Sequence, residues 1–404
     1  MLGVYIKKSF LSNQKNDNSQ VLEWLDYAKS KILNSKKPIT FVGHNSKFFY
    51  GNPPRKDNEI LNTSGYEGVI DYDPSELVVV VRCGTSITKL ESLLASKNQT
   101  LGFDPPRFLA RSSKTNKLSP SGTIGGMVAT GLEGPQRIFN GSCREAVLGL
   151  SILNSDGELL KFGGTVIKNV AGYDISRLHV GAMGTLGLIL DISLRVKPLP
   201  MTERTIAIPA KFFQMIQIVN NFFSDYLPIS STSWTNNSVY KFFEKEMLIL
   251  RLSGPKKSVA KALEHIFRCQ KEAYIVEKER ADSFWNLLRD QRFSFFTAPL
   301  GGGFLWRVSL PFGNDFVSLD KLDQWAEWGN ALRWVRTDKD PEWFFSFIKS
   351  QGGNATIYRV SEDLITTQDR FTKPEWIEKE LQTKIKKKLD PKFIFNPGRL
   401  YSFI

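Results

Sequence analysis

The sequence predicts an α+β protein of two domains, residues 1–200 and 201–385, with a C-terminal segment, residues 386–404, that docks onto another part of the protein. Three observations lead to this prediction. The 404 residues exceed the usual size of one domain. Strand-like and helix-like runs interleave throughout, yet glycine is concentrated in the first 200 residues and aromatic residues become more frequent beyond them. The segment Lys197–Pro200 (K-P-L-P) ends the first part as a linker would.

The first part alternates short β-rich runs with two helical patterns. Helical spacing of apolar residues predicts helices over 19–34 and 88–97 and a short helical turn from Val128. Apolar runs bounded by glycine, proline or aspartate predict strands over 37–43, 68–73, 77–83, 100–103, 146–154, 159–162 and 188–196.

The second part predicts an antiparallel sheet with helices on one face. The helical patterns cover 211–223, 256–269, 282–290, 318–328 and 341–350, and the strand-like ones cover 246–252, 273–278, 303–310, 331–336 and 355–360. Trp325, Trp328, Trp343, Phe344 and Phe345 fall in the predicted helices, where we expect them in the core. The last predicted helix spans 376–389, and the residues after it carry no helical period.

Composition excludes several classes of function. No apolar run is long enough to span a bilayer and the N-terminus lacks a secretory signal, so we predict a cytoplasmic protein. Cys83, Cys143 and Cys269 form no disulfide framework, and the three histidines are unpaired, so we predict no metal site. The net charge of +13 is spread along the chain without a nucleic-acid-binding motif, which favours a partner protein or an anionic small molecule over nucleic acid.

The run Ser119–Pro135 (S-P-S-G-T-I-G-G-M-V-A-T-G-L-E-G-P) holds five glycines and small hydroxyls. Glycine is concentrated where a chain turns at positive φ or lies close to another group, and bare amides form concave sites for phosphate oxygens. By itself the run fits a tight structural loop as well as a phosphate site. Gly43–Ser46 (G-H-N-S) and Ala171–Gly187 are two further glycine-rich segments of the same domain. None matches the dinucleotide-binding or nucleotide-triphosphate loop fingerprints.

The order of these segments carries a resemblance. The pieces are G-H-N-S, then S-G-T-I-G-G-M-V-A-T-G, then K-N-V-A-G-Y-D from Lys168 with its following glycines, then D-P-K-F-I-F-N-P-G-R-L-Y from Asp390. Together they resemble flavoproteins with a vanillyl-alcohol-oxidase-type (PCMH-type) FAD domain, and within them the E subunit of bacterial glycolate oxidase. The resemblance implies a two-subdomain FAD-binding domain, an α+β ferredoxin-like cap with an antiparallel sheet, and a C-terminal tail that returns to the FAD domain.

The resemblance also implies the cofactor site, with FAD bound non-covalently. Segment by segment, the residues implied to contact FAD are Gly43, His44, Asn45, Ser46, Pro120, Ser121, Gly122, Thr123, Gly125, Gly126, Thr130, Gly131, Tyr173, Asp174, Gly184, Thr185, Gly187, Ile189, Asn396 and Arg399. Related flavoproteins can link a loop histidine to the flavin, but their longer R-S-G-G-H pattern is missing around His44. Tyr173 and Asp174 fit a helix-start cap with a core aromatic equally well, and Arg399 fits a surface ion pair. We expect valine at Gly125 or Gly126 to abolish FAD retention and to leave the fold largely intact.

The catalytic residues stay unknown from the sequence. Oxidation of a 2-hydroxy acid needs a base and cations for the carboxylate. The cap offers one histidine, His265, on a core-like helix, and three arginines, Arg307, Arg333 and Arg336, which fit a solvated face equally well.

The resemblance therefore implies an FAD-binding subunit that works with a D-type flavin subunit and an F-type iron–sulfur subunit on glycolate or a similar 2-hydroxy acid. It leaves open peripheral contact, through these partners, with the inner face of the plasma membrane. The alternatives are an autonomous FAD-dependent oxidoreductase for hydroxy or sugar acids and a non-catalytic structural subunit.

Overall fold

The computed structural model describes residues 14–111, 118–165, 173–235, 246–312, 319, 322–361, 364 and 369–404. The elements before Pro200 are α1 (Gln14–Asn34), β1 (Ile39–Val42), β2 (Glu59–Asn62), β3 (Val69–Asp73), β4 (Val78–Arg82), α2 (Ile87–Ala95), β5 (Gln99–Thr100), β6 (Leu109–Arg111), β7 (Leu118–Pro120), α3 (Ile124–Thr130), α4 (Arg137–Asn140), α5 (Cys143–Ala146), β8 (Val147–Leu153), β9 (Leu159–Gly163), β10 (Leu188–Arg195) and β11 (Lys197–Pro198).

Two small sheets organise this first part. Strands β1 and β2 pair in parallel, and five strands form an antiparallel sheet in the order β3-β4-β10-β8-β9. Helix α1 buries Ala28 and Ile32, one turn apart, in the same core as the valines of β4 and the isoleucines of β10. The i, i+4 spacing puts both residues on one helix face, which explains why the helical period in the sequence located α1.

The elements after Pro200 are β12 (Thr202–Pro209), α6 (Phe212–Ser224), β13 (Ile229–Thr235), β14 (Met247–Gly254), α7 (Lys256–Cys269), β15 (Tyr274–Val276), α8 (Lys278–Arg289), α9 (Ser294–Thr297), β16 (Phe304–Ser309), β17 (Asp323–Glu327), β18 (Leu332–Thr337), α10 (Pro341–Ser350), β19 (Asn354–Val360) and α11 (Trp376–Leu389). Eight strands form one antiparallel sheet in the order β15-β12-β14-β13-β17-β18-β16-β19. None of the helices in the described part of the chain combines the length and apolarity that crossing a bilayer requires.

The eight-stranded sheet is covered on both faces. Alternate residues of β12 point in opposite directions, so that Ile206 and Ile208 pack with α6 and α7 whereas Ala207 packs with α8. The expectation of helices on one face is therefore wrong for α8. The face that carries α8 also packs against Phe108 and Met183 of the first part, which joins the two parts through one apolar cluster.

The predicted helix 318–328 is wrong where the structure describes it, because Asp323–Glu327 is strand β17. The sequence places Trp325 and Trp328 in this helix, but Trp325 points to the α8 face of the sheet and Ala326 to the other, as in a strand. Trp325, Trp328 and Phe344 are buried as expected. Trp343 is not in the core, because it stacks on Phe347 at the surface of α10 and is 51% exposed.

The C-terminal tail returns to the first part. Its backbone runs beside β1, where the Ile39 N–H donates to Ile394 O at 2.6 Å and the Asn396 N–H donates to Ile39 O at 2.9 Å. Helix α11 is fixed beside it by Lys386, whose Nζ donates to Asp390, Thr185 O and Phe395 O. Residues before Pro200 form the five-stranded sheet, and residues after it form the eight-stranded sheet. Lys386 is the first residue that fixes the C-terminal tail. We therefore propose domain boundaries after residues 200 and 385.

Candidate functional site: a glycine-lined cavity

One cavity of about 770 Å³, including its solvent-open part, lies where four chain segments meet. Its walls come from the turn after β1, from α3, from the segment 183–189 that leads into β10, and from the C-terminal tail. The described residues that line it include no aspartate or glutamate, so the cavity suits an anionic ligand.

Thr123 joins the first two walls. It caps the N-terminus of α3, where its hydroxyl accepts a hydrogen bond from the Gly126 N–H at 3.1 Å. A Cβ at Gly43 would lie 2.5 Å from that same hydroxyl oxygen, so the turn after β1 can approach α3 only because residue 43 is glycine. His44 lies in the same turn, and its Nδ1 accepts a hydrogen bond from the Gly122 N–H at 3.4 Å.

Asn396 joins three of the walls. Its side-chain oxygen accepts from the Phe41 N–H at 3.0 Å, and its amide nitrogen donates to Met183 O at 2.7 Å. Gly184 has φ +70° and faces this amide, because a Cβ there would lie 2.7 Å from the Asn396 nitrogen. The Met183 N–H in turn donates to Ala129 O at the end of α3. The segment before β10 is thus fixed between α3 and the C-terminal tail.

Thirteen of the twenty residues that the sequence implicates line this cavity: Gly43, His44, Asn45, Ser46, Thr123, Gly125, Gly126, Thr130, Gly184, Gly187, Ile189, Asn396 and Arg399. The structure brings these thirteen together from four separated segments. Their contact with a cofactor stays a prediction. The run from Lys168 to Gly172 lies outside the described residues.

The other seven lie outside the lining. Pro120 to Gly122 lie on the way from β7 into α3, and Gly131 ends α3 at φ +58°. Thr185 is buried, and its hydroxyl donates to Ala182 O. Tyr173 is 96% exposed, and Asp174 pairs with Arg177 at 3.1 Å and accepts from Ser176. The Arg177 N–H also donates to Asp174 Oδ1 at 3.3 Å, as the helix-cap alternative for Asp174 requires. The core-aromatic part of that alternative is wrong, because Tyr173 is exposed.

Arg399 is 6% exposed and makes no surface ion pair in the described structure. Its guanidinium donates to the carbonyls of Asn52, Tyr50 and Phe48, which follow the first cavity wall. Burial, with a smaller contribution from Arg370, lowers the pKa of Arg399 to about 10. Arg399 therefore holds the tail against the segment Phe48–Asn52, and both terminal nitrogens of its guanidinium already donate to backbone carbonyls.

Sequence reasoning missed Lys47, the residue directly after the first glycine-rich turn. Lys47 lines the cavity, is 8% exposed, and its Nζ has no hydrogen-bond partner in the described structure. The ammonium lies 5.7 Å from the ring centre of Phe108. Burial lowers the pKa of Lys47 to about 8. A buried cation without a partner is unfavourable, so this amine suits a site that receives an anion.

The one histidine and three arginines of the cap that the sequence suggests for substrate binding do not line this cavity. Arg333 is fully buried and donates to Asn330, and Arg336 donates to the carbonyls of residues 295, 298 and 299. His265 hydrogen-bonds Asp225 at 2.8 Å and is not among the lining residues. Arg307 lies over the ring of Trp328 at 5.3 Å.

Comparisons with known proteins identify the family of this chain and its cofactor. A family model described as FAD binding domain matches residues 16–163. The glycolate oxidase subunit GlcE of Escherichia coli (strain K12) is 33% identical over 373 residues, covering 92% of this chain and 95% of that protein. The chain belongs to the glycolate oxidase subunit GlcE family. Its cofactor is FAD, and it is an FAD-dependent oxidoreductase.

More distant relatives share part of this GlcE-family chain or its fold. Glycolate oxidase subunit GlcD of Bacillus subtilis (strain 168) is 28% identical over 169 residues, which cover 42% of this chain and 34% of that protein. A structure of p-cresol methylhydroxylase superposes with a TM-score of 0.64 at 16% identity, covering 94% of this chain and 88% of the other. A structure of alkyldihydroxyacetonephosphate synthase superposes with a TM-score of 0.61 at 17% identity, covering 93% of this chain and 74% of the other. These structures establish the PCMH-type fold.

Proposed function

We propose that this chain is the FAD-binding subunit of a glycolate oxidase or dehydrogenase complex. In this proposal a D-type flavin subunit oxidises glycolate or a similar 2-hydroxy acid, and an F-type iron–sulfur subunit receives the electrons. The chain described here carries electrons between them. The cavity carries the proposal, because it joins the glycine-rich segments around Lys47, and within the described part of the chain that ammonium has no hydrogen-bond partner and no acidic side chain lines the cavity. The cytoplasmic location stays a prediction.

The residues present fit FAD. Small side chains and bare backbone at Gly43–Ser46 and at the start of α3 leave room for a polar, anionic group, and Lys47 supplies a positive charge beside them. Apolar lining residues such as Leu188 and Ile189 suit a flat aromatic group. FAD, when bound, would supply the electron-carrying chemistry. The protein's part is to bind the cofactor, orient it and keep water from it.

One observation favours an electron-carrying role over independent substrate oxidation. Of the three cap arginines that the sequence offers for a substrate carboxylate, Arg333 and Arg336 already donate to protein groups. The third, Arg307, does not line the cavity and lies over the ring of Trp328.

The test uses the visible spectrum of the purified chain. We expect flavin absorbance that glycolate alone does not bleach, and that glycolate bleaches once the D-type subunit is added. Bleaching by glycolate in the isolated chain would instead establish an autonomous oxidoreductase. A colourless chain that does not take up added FAD would contradict the proposal and favour the alternative of a non-catalytic structural subunit.

Lys47→Met is expected to weaken FAD binding by about ten- to a hundredfold, since a hydrogen bond to a charged group contributes about 1.5–3 kcal/mol. Fluorescence titration of apoprotein with FAD measures the effect. Lys56→Met is the control, because Lys56 is exposed on the loop after the same turn. Equal affinities of the two variants for FAD would contradict a role for Lys47.

The same FAD titration, repeated at several pH values, tests whether the positive charge of Lys47 contributes to FAD affinity. Its amine is protonated below its pKa of about 8, so FAD affinity should be highest below pH 8 and fall as pH rises through that value. Burial lowers the pKa of the neighbouring His44 from 6.5, so His44 is neutral in this range. In Lys47→Met the fall near pH 8 should vanish. An unchanged pH profile in that variant would assign the fall to another group.

A further inference from the structure

The carboxylate of Asp290 links the cap to the first part of the chain. Asp290 directly follows α8 and is 5% exposed. An aspartate at the C-terminal end of a helix is unfavourable for the helix dipole, so the groups that it binds explain its position. Its Oδ1 accepts from the Arg107 N–H at 3.1 Å, across 183 residues of sequence. The two carboxylate oxygens also accept from the Arg289 guanidinium at 2.8 and 2.9 Å.

Arg107 is held by its backbone and by its side chain. Its N–H donates to Asp290, and its Nη1 lies 3.0 Å from the carboxylate of Glu91 in α2. Pro105 and Pro106 precede it, and their rings restrict the backbone that leads into residue 107. These contacts fix residue 107, and they therefore constrain the position of the residue that follows it.

That next residue, Phe108, reaches the cofactor cavity. Its carbonyl accepts from the Ser121 N–H at 2.9 Å, just before α3. Its ring centre lies 5.7 Å from Lys47 Nζ. A Cβ at Gly122 would lie 2.8 Å from the same Nζ, so the ammonium also lies against the backbone before α3. Since Lys47 Nζ has no hydrogen-bond partner in the described structure, the attraction between the cation and the ring helps to hold it in place.

We propose that Asp290 is a positioning residue for FAD binding: through Arg107 it fixes the Phe108 ring against Lys47 and so holds the ammonium at the cavity wall. Asp290 does not line the cavity, and neither does any other described residue of the cap. The cap thus acts on cofactor affinity through one backbone N–H and one aromatic ring. The proposal rests on the part of the proposed function that places FAD beside Lys47.

The test measures the FAD affinity of the full chain by fluorescence titration of the apoprotein, with Lys47 present and in the Lys47→Met background. Asp290→Ala removes the acceptor of the Arg107 N–H, whereas Asp290→Asn keeps an oxygen that can accept it. Arg251→Met is the matched control, because it breaks another ion pair between the two parts, that of Arg251 with Asp104 at 3.6 Å. Urea denaturation of each apoprotein records its stability separately.

We expect Asp290→Ala to weaken FAD binding by about three- to tenfold, the range that loss of a contact between a cation and an aromatic ring explains. Asp290→Asn and Arg251→Met should bind FAD as the wild type does, whatever stability they lose. In the Lys47→Met background, Asp290→Ala should have no further effect on FAD affinity, because both changes act through one group. A purely structural role of Asp290 would instead give equal losses in the two backgrounds.

The pH dependence of FAD affinity gives a second readout. Burial lowers the pKa of Lys47 to about 8, and displacement of the Phe108 ring would admit water and return that pKa toward its usual higher value. In Asp290→Ala the fall in FAD affinity should therefore move to a pH above 8. Glu91 and His44 do not cause this shift, because burial raises the pKa of Glu91 only to about 7 and lowers that of His44 from 6.5.

Phe108→Leu tests the same link without a change at Asp290, and it decides the proposal if Asp290→Ala does not fold. It should weaken FAD binding by a similar factor when Lys47 is present and have no effect in Lys47→Met. Three results would each overturn the proposal: wild-type FAD affinity in Asp290→Ala or Phe108→Leu, equal losses in both backgrounds, or unchanged FAD affinity in Lys47→Met. The bleaching experiment with glycolate tests the proposed function separately, so failure of one is distinguished from failure of the other.

Discussion

Lys386→Met is expected to lower the free energy of unfolding by about 3–5 kcal/mol, because it leaves the buried carboxylate of Asp390 without its counter-ion. Both side chains are 0% exposed, and their charged atoms lie 2.7 Å apart. The ammonium also donates to Thr185 O and Phe395 O, so the substitution leaves two buried carbonyls without that donor. Urea denaturation followed by tryptophan fluorescence measures the change.

Two further variants make this result specific. Lys387→Met removes an exposed charge from the next position of the same helix and should change stability by less than about 0.5 kcal/mol. Adding Asp390→Asn to Lys386→Met removes the unpaired buried charge and should recover part of the loss. If Lys386→Met were as stable as Lys387→Met, the buried pair would not fix the C-terminal tail.

The sequence predicted elements well where the hydrophobic period was strong and local. The valine run of β4 and the i, i+4 apolar residues of α1 each define one structure by themselves. It missed β12, because T-E-R-T-I-A-I-P mixes charged and apolar residues at its start. It assigned β17 to a helix, and only the pairing of this segment with β13 and β18 shows that it is a strand.

The cofactor site was predictable in its backbone but not in its charge. Glycine at positions 43 and 184 indicates that another group lies close to the backbone there. In the structure that group is Thr123 at Gly43 and Asn396 at Gly184. Lys47 carried no such signal, because a lysine after a turn usually lies in solvent. Its burial depends on Phe108 and on the loop at Gly122, which are distant in sequence. The same limit applies to Trp343, whose exposure follows from the position of α10 at the edge of the sheet.

Gly126→Val is expected to abolish FAD retention in a chain that still folds. A Cβ at Gly126 would meet only the Thr123 hydroxyl, at 3.2 Å, so further side-chain atoms would extend into the cavity. The expectation that Gly125→Val also preserves the fold is not supported, because a Cβ there would lie 2.7 Å from the Cβ of Cys83, the residue directly after β4, and 3.1 Å from its carbonyl oxygen. Glycine at 125 thus serves the packing of α3 on the sheet, whereas glycine at 126 leaves space for a ligand.

The two valine variants therefore separate binding from folding. Gly126→Val should purify colourless with an unfolding midpoint close to that of the wild-type apoprotein, apart from the small change that β-branching causes in a helix. Gly125→Val should lose stability by about 1–3 kcal/mol through overpacking, whatever its flavin content. Absorbance at the flavin bands and thermal unfolding of the apoproteins give both quantities. Full flavin occupancy in Gly126→Val would show that α3 does not border the bound cofactor, and FAD would then have to contact the other walls of the cavity alone.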